Sequence, residues 1–430
     1  MSSHPFALFL VSLITLVVLR VPIGLAMIGS GVAYLGLSGQ DLGLAAEQIL
    51  NGLYNSYVLL AVPLFILAAN LMNAGTISER IFEFCGLLVG RMRGGLAQID
   101  ILVSVIFSGM SGSALADAAG PGLITIRQML AKPGYPPGFA GAVVVASATI
   151  GPIIPPSIPM VIYALISGAS VGALFLAGVI PGLLMAVALM IAVQIIAIRR
   201  NLPRETPAPR STWLKLARRA MLPLSLPVVL LGGIYSGAFT PTEAAAVAAL
   251  HALILAGPVY RALDLRGLYH VLLDSARSSA VITLVIAGAF LLNYVFTAEG
   301  IPRLLAAWIE QQHLGQTGFM LLINLAFLIL GCFLDTTVML LVFVPMLLPA
   351  VNALGIDLVY FGVVVIVNMM IGLVTPPFGM LLFVTHALTG VPIRAMVREG
   401  WPFLVALLAV LLLITLWPAL TLWLPGWSRG

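Results

Sequence analysis

Charge is what this sequence has least of. Lys and Arg number 20 and Asp and Glu 15 among 430 residues, 8% of the chain, against 61% hydrophobic residues. So few charges could not keep the surface of a soluble fold in solution, and that class is excluded. Cysteine is nearly absent as well. Cys85 and Cys332 stand in apolar surroundings with no second thiol or histidine at ligand spacing, so they are small buried hydrophobes and not a disulfide or zinc framework. His251, His270, His313 and His386 are scattered, with no HExxH pattern around them, and no Walker loop or dinucleotide fingerprint occurs. The chain is therefore read as neither an enzyme nor an ATP-driven pump. Its energy source is an ion gradient or another subunit.

What the sequence does have is apolar length. Runs such as 179–198, 281–296, 319–333 and 403–424 approach or reach the roughly 20 residues a helix needs to cross a bilayer. They lack the period-2 alternation of barrel strands, so the expected fold class is an all-α polytopic membrane protein. The first run, from about Pro5, has almost no basic flank and no small-residue cleavage site, and is read as a retained transmembrane helix. Arg199, Arg200, Arg204, Arg210, Lys215, Arg218 and Arg219 crowd one connector opposed only by Glu205. The positive-inside rule places that connector in the cytoplasm, with Arg91, Arg93, Arg394 and Arg398 marking further cytoplasmic ends. The 41–56 region, with Asp41 and Glu47 and no basic residue, is assigned to the outside.

The connector divides two halves of similar grammar. Ile150-Gly151-Pro152-Ile153-Ile154-Pro155-Pro156 in the first half recurs in the second as Ile371-Gly372-Leu373-Val374-Thr375-Pro376-Pro377. Asp117 and Asp335 recur at nearly the same offset, which reads as a second hallmark of an internal repeat. Proline removes a backbone donor, biases its predecessor away from helical dihedrals, and so leaves carbonyls unpaired. Hydrocarbon does not tolerate that, so both broken helices must be enclosed in protein or face a wet cavity near mid-membrane.

Before each break stands a short polar stretch between apolar flanks: 108–113 (SGMSGS) in the first half and Asp335-Thr336-Thr337 in the second. Flanks too short for two crossings predict a helical hairpin. Hydroxyl and carbonyl oxygens are hard ligands suited to sodium, and helix N-termini favour a carboxylate; close helix packing is the plainer reading of the same small residues. Two readings also stand for Asp117 and Asp335, capping of backbone amides or a place near an ion site. Thr240-Pro241-Thr242-Glu243 spells a capping box before an alanine-rich helix; Glu243 is read either as that cap or as a buried lock between moving parts, and not as a freely exposed charge. His386 either lines the cavity or is a satisfied helix histidine.

Taken together, the Val21-Pro22-Ile23-Gly24 stretch, Val62-Pro63-Leu64-Phe65, the 107–119 segment, IGPIIPPS, SGAFTPTEAA and IGLVTPPFG make the chain closely similar to the large permease subunit, of DctM or SiaM type, of tripartite ATP-independent periplasmic transporters. The resemblance runs through nearly the whole chain. It implies sodium-coupled import of a small organic anion, such as a C4-dicarboxylate or sugar acid, across the bacterial inner membrane. It implies a small four-helix membrane subunit, encoded separately, and a soluble periplasmic substrate-binding protein as partners, with no cofactor beyond Na+. It implies an inverted-repeat elevator with two helical hairpins and two broken helices.

Carried onto this sequence, one sodium site would use Ser108, Ser111, Gly151 and Ile154, and the other Gly331, Asp335, Gly372, Thr375 and Phe378. The residues 331–335 do not repeat the serine-rich spelling of the first hairpin. The substrate would sit between the tips, beside Ser113, Pro155, Pro156, Pro376, Pro377 and His386, while Asp117, Thr240 and Glu243 carry structural or mechanistic roles. The expected division is scaffold 1–92, first transport repeat 93–198, basic connector 199–219, second scaffold and arm 220–315, second repeat 316–400 and a last transmembrane helix 401–430. Two other classes stand beside this one. An ion-coupled carrier working without a binding protein would share the broken helices, whereas a non-transporting scaffold or receptor has no reason to break two of them at matching positions.

Overall fold

The computed structural model describes residues 4–54, 56–206 and 209–428; the remaining parts of the expected N-terminal, 41–56, connector and C-terminal segments, and the side chains of His4, Arg210, Ser211 and Ser428, lie outside the described residues. The first group of helices is α1 (His4–Val18), α2 (Ile23–Leu37), α3 (Gly43–Tyr54), α4 (Ala61–Ala74) and α5 (Ile77–Val89). Next come α6 (Gly95–Ser111), α7 (Ala114–Ala119), α8 (Pro121–Ala131), α9 (Pro137–Ser147), α10 (Ile158–Ser167) and α11 (Val171–Arg199). Then α12 (Arg210–Tyr235), α13 (Pro241–Ile254), α14 (Leu265–Ala298) and α15 (Ile301–Gln311) lead into the second half. That half holds α16 (Gln316–Gly331), α17 (Thr336–Ala353), α18 (Leu358–Gly372), α19 (Met380–Thr389), α20 (Ile393–Leu416) and α21 (Ala419–Ser428).

Among the described residues six helical segments are long and apolar enough to cross a membrane, so the chain is an all-α polytopic membrane protein. Two corrections concern boundaries. The basic connector is only half loop, because Arg210 opens α12 and the helix continues through Arg218 and Arg219. The C-terminal apolar run is interrupted: α20 starts earlier, at Ile393, and ends at Leu416, where Trp417 leaves helical dihedrals before Pro418.

Helix starts repeat with the same spacing as the proline motifs. Gly95 and Gln316 open α6 and α16, and Pro137 and Leu358 open α9 and α18, both pairs at the offset that separates Gly151 from Gly372. Val171 and Ile393 open α11 and α20 at that offset plus one position. Within the first unit α6 packs on α8 and α9; within the second α16 packs on α18. The two units also interlock, since α7 lies against α19 and α10 against α17. Around them α2, α3 and α4 pack on the long α14, with α13 against α4. The 34 residues of α14 span about 50 Å at the helical rise.

The polar ends collect on one face. Arg93 bonds Asn201 at 3.0 Å, Lys132 meets Glu205 at 2.7 Å, and Arg200 meets Glu399 at 2.7 Å. These pairs join the loops after α5, α8 and α11 to the start of α20. Tyr135, in the same cluster, takes the Leu96 amide at 3.3 Å. Burial pushes its phenol up to about 12, so it stays neutral. Near the C-terminal end of α14, Tyr294 bonds Gln40 at 3.0 Å and Tyr34 bonds Glu299 at 2.5 Å, which ties α2 and the loop before α3 to that end of the helix.

Candidate functional site: two hairpin tips seated on two broken helices

In the first unit the chain turns at Gly112, whose φ of +61° is left-handed, and Ser113 then caps α7 by accepting the Ala116 amide at 3.4 Å. The tip sits directly on the break. The Ile158 amide donates to the Gly112 carbonyl at 3.4 Å, and a Cβ placed on Gly112 would lie 2.5 Å from the Pro156 carbonyl oxygen. Across the same contact, a Cβ on Gly151 would lie 3.3 Å from the Ser113 carbonyl oxygen. Residues 151–158 are buried throughout. Ser157 closes the break, donating to the Pro152 carbonyl and accepting the Met160 amide at 3.2 Å to start α10.

The oxygens here are poorly used by the protein itself. Among the described residues the carbonyls of Gly151, Ile153, Ile154, Pro155 and Pro156 accept no hydrogen bond. Ser111 Oγ is buried without a partner, while Ser108 Oγ donates to the Ser104 carbonyl and keeps its lone pairs. The predicted residues Ser108, Ser111, Gly151 and Ile154 thus lie on the two elements that meet at this contact.

The second unit repeats the contact with different side chains. Gly331 ends α16 and Gly372 ends α18, and a Cβ on Gly372 would lie 2.9 Å from the Gly331 Cα and carbonyl carbon. Only hydrogen fits between these backbones. Asp335 is the N-cap of α17, accepting the Thr337 amide at 2.8 Å, and Thr375 Oγ1 donates to the Ile371 carbonyl at 2.7 Å. Thr336 Oγ1 is buried without a partner. Both breaks carry a cis peptide bond, Pro155–Pro156 and Pro376–Pro377. The second break is the more open one: Pro377 and Phe378 are exposed, and a cleft of about 340 Å³ runs between Gly331, Asp335, Leu373, Phe378 and Phe383.

Several expectations change. Asp335 is the N-cap of α17 and Ser113 the N-cap of α7, their separation within one position of that between the two break glycines, whereas Asp117 is no cap. Asp117 lies inside α7, fully buried, with neither carboxylate oxygen hydrogen-bonded among the described residues. Glu243 is exposed in this chain and is no buried lock; Oε2 accepts both the amide and the hydroxyl of Thr240 at 2.8 Å. His386 is exposed in the last turn of α19, its Nδ1 2.8 Å from the Val391 carbonyl, a polar contact local to the end of that helix. Replacing Thr240 with Ala should cost about 1 kcal/mol, the usual value of an N-cap, read as a lower thermal midpoint in detergent.

Sequence reasoning missed one buried polar clamp in each unit. Ser147 Oγ donates to Asp100 at 2.6 Å, tying α9 to α6. Asn368 Nδ2 donates to the carbonyl and the side-chain oxygen of Asn324 at 2.8 and 2.9 Å, tying α18 to α16, and Asn324 Nδ2 reaches Thr415 Oγ1 at 2.8 Å. Ser147 and Asn368 each stand four positions before the glycine of their break. An isolated amide or carboxylate inside an apolar run was the available signal.

The sequence profile of the tripartite ATP-independent periplasmic transporter DctM component matches residues 10–420. The chain belongs to this family. It is a membrane transporter subunit of the large-permease type and not an enzyme. The sialic acid large permease SiaM of Vibrio cholerae is 43% identical, over 95% of this chain and 96% of its own length. The C4-dicarboxylate large permease DctM of Pseudomonas aeruginosa is 41% identical over 86% and 87%. The 2,3-diketo-L-gulonate large permease YiaN of Escherichia coli is 35% identical over 96% and 97%. Among solved structures the Alcanivorax borkumensis YdaH transporter aligns with a TM-score of 0.54 over 84% of this chain and 85% of its own, at 16% identity, a likeness of fold.

Proposed function

We propose that this permease imports a small organic carboxylate across the bacterial inner membrane, coupled to sodium and supplied by a periplasmic binding protein, with a small four-helix membrane subunit bracing its scaffold. The observation that carries the reading is the buried, unpartnered Ser111 hydroxyl at the end of α6, together with the carbonyls of Gly151 and Ile154 on the break that the hairpin tip meets, which no donor satisfies. Unpaired buried oxygens cost free energy, and a small hard cation offsets it. In the second unit the carbonyls of Gly331 and Phe378 are likewise free of hydrogen bonds among the described residues, and Thr375 Oγ1 keeps its lone pairs. Sodium at each contact would stabilise a carboxylate held nearby, and α10 and α19 restart at Ile158 and Met380 with their positive dipole ends just past the breaks. Sialic acid, C4-dicarboxylates and diketogulonate in the names of the relatives point to the same substrate class.

The packing supports an elevator. With α7 seated on α19 and α10 on α17, the two units would move together, sliding as one inverted-repeat body against α2, α4, α13 and α14. The test is uptake of labelled organic acids into proteoliposomes holding this chain and its small subunit, with and without binding protein and an inward sodium gradient. Accumulation should require both. Ser111→Ala and Thr375→Ala should each raise the sodium concentration for half-maximal uptake by about tenfold, the effect of one lost ligand to a charged group. Uptake without the binding protein would move the chain to an independent secondary carrier, and sodium-independent uptake would sink both ion sites.

A further inference from the structure

A cleft of about 530 Å³ opens between α5, the start of α12 and the turn after α13, far in sequence from both breaks. Arg80, Lys215, Arg218 and Arg219 line it, together with Tyr260 and the apolar Leu214 and Leu222. Among the described residues no carboxylate lines it. None of the four cations forms an ion pair among the described residues, and Glu79 and Glu83, the acids of α5, bond to none of them. The Arg80 guanidinium lies 3.8 Å over the Tyr260 ring, while Arg80 Nε and the Tyr260 hydroxyl are buried without hydrogen-bond partners. Four like charges held together with unused donors beneath them are costly without an anion.

Position says which anion. Arg91, on the face that gathers the basic loops, lies over the Trp213 ring at 5.5 Å. Lys215, Arg218 and Arg219 follow within the next two turns, about 3–9 Å further along the helix. From Met221 and Leu222 onward one face of α12 is apolar and exposed, with Met221 66% exposed and Val228 70% exposed, while Leu226 and Leu230 on the other face are buried. Cations above and exposed apolar side chains below match a phosphate headgroup and its acyl chains at the edge of the hydrocarbon core. We propose that this cleft binds the headgroup of an anionic phospholipid, with Arg80, Lys215, Arg218 and Arg219 on the phosphate and Leu222 against the acyl chain.

The test is native mass spectrometry of the permease purified with its small subunit and titrated with phosphatidylglycerol or with phosphatidylcholine of the same acyl chains. The wild type should hold phosphatidylglycerol in clear preference. Each cation neutralised should weaken that binding about fivefold, so a variant carrying Lys215→Gln, Arg218→Gln and Arg219→Gln should lose about a hundredfold. Its phosphatidylcholine binding should fall less, because the choline cation already offsets that lipid's phosphate, and an unchanged thermal midpoint in detergent shows that the variant is folded. Arg218→Lys with Arg219→Lys, keeping the charge, should stay within about threefold of wild type. Equal retention of the two lipids by the wild type, or undiminished phosphatidylglycerol on the triple variant, would overturn the site. Loss of the small subunit from the triple variant with lipid binding intact would show a protein interface instead. None of these readouts depends on sodium or on the cargo.

Discussion

Gly112→Ala is expected to abolish uptake and to destabilise the protein by about 3 kcal/mol, combining ~1–2 for a left-handed backbone with ~1–3 for overpacking. The new methyl would sit 2.5 Å from the Pro156 carbonyl oxygen and 3.2 Å from the Ile158 amide, and both belong to backbone that has no rotamer to change. Relief requires lifting the hairpin tip off the broken helix. Gly168→Ala separates strain from contact, because Gly168 has a φ of +72° with nothing within 4 Å of its Cβ position. That control should cost about 1 kcal/mol and leave uptake nearly unchanged. If both variants transported alike, the seating of the first tip would carry no function.

Asn368→Leu is expected to lower stability by about 2 kcal/mol and to slow uptake, because it strips two hydrogen bonds from Asn324 in a buried site. The side-chain oxygen of Asn324 would then face leucine. The decisive measurement is the double variant with Asn324→Leu. Replacing both partners removes the unsatisfied group, and Thr415 Oγ1 remains bonded to the Leu411 carbonyl at 2.7 Å, so the double variant should recover about half of the single loss. Strict additivity of the two thermal shifts would show that the amide pair does not brace α16 against α18.

Much of this molecule is written locally. Length of apolar run and scarcity of charge dictate helices that cross a membrane, since no other backbone arrangement but a closed barrel satisfies its own polar groups there. Proline carries its constraint in its ring, so the breaks near Pro155 and Pro376 are legible without any neighbour. Gly331, Gly372 and the Ser108–Ser113 stretch were legible as unusual, because small and polar residues interrupt apolar runs, but not which element each would meet.

What the sequence could not determine depends on distances through space. Asp100 and Ser147 are 47 residues apart and Asn324 and Asn368 are 44 apart, and their bonds exist only after α6 meets α9 and α16 meets α18. Equal spelling pairs Asp117 with Asp335, yet Asp335 is the N-cap of α17 while the N-cap of α7 is Ser113 and Asp117 lies inside that helix, because a cap is set by where a helix begins. Glu243 is exposed for the same kind of reason, since a capping box fixes which amide the carboxylate serves but not which way the helix face is turned. Composition and proline chemistry thus determined the class and the two interruptions, which are properties of single segments. The tertiary structure alone decided that each hairpin tip rests on a break with only hydrogen between the backbones, because that contact is a relation between segments that no single stretch encodes.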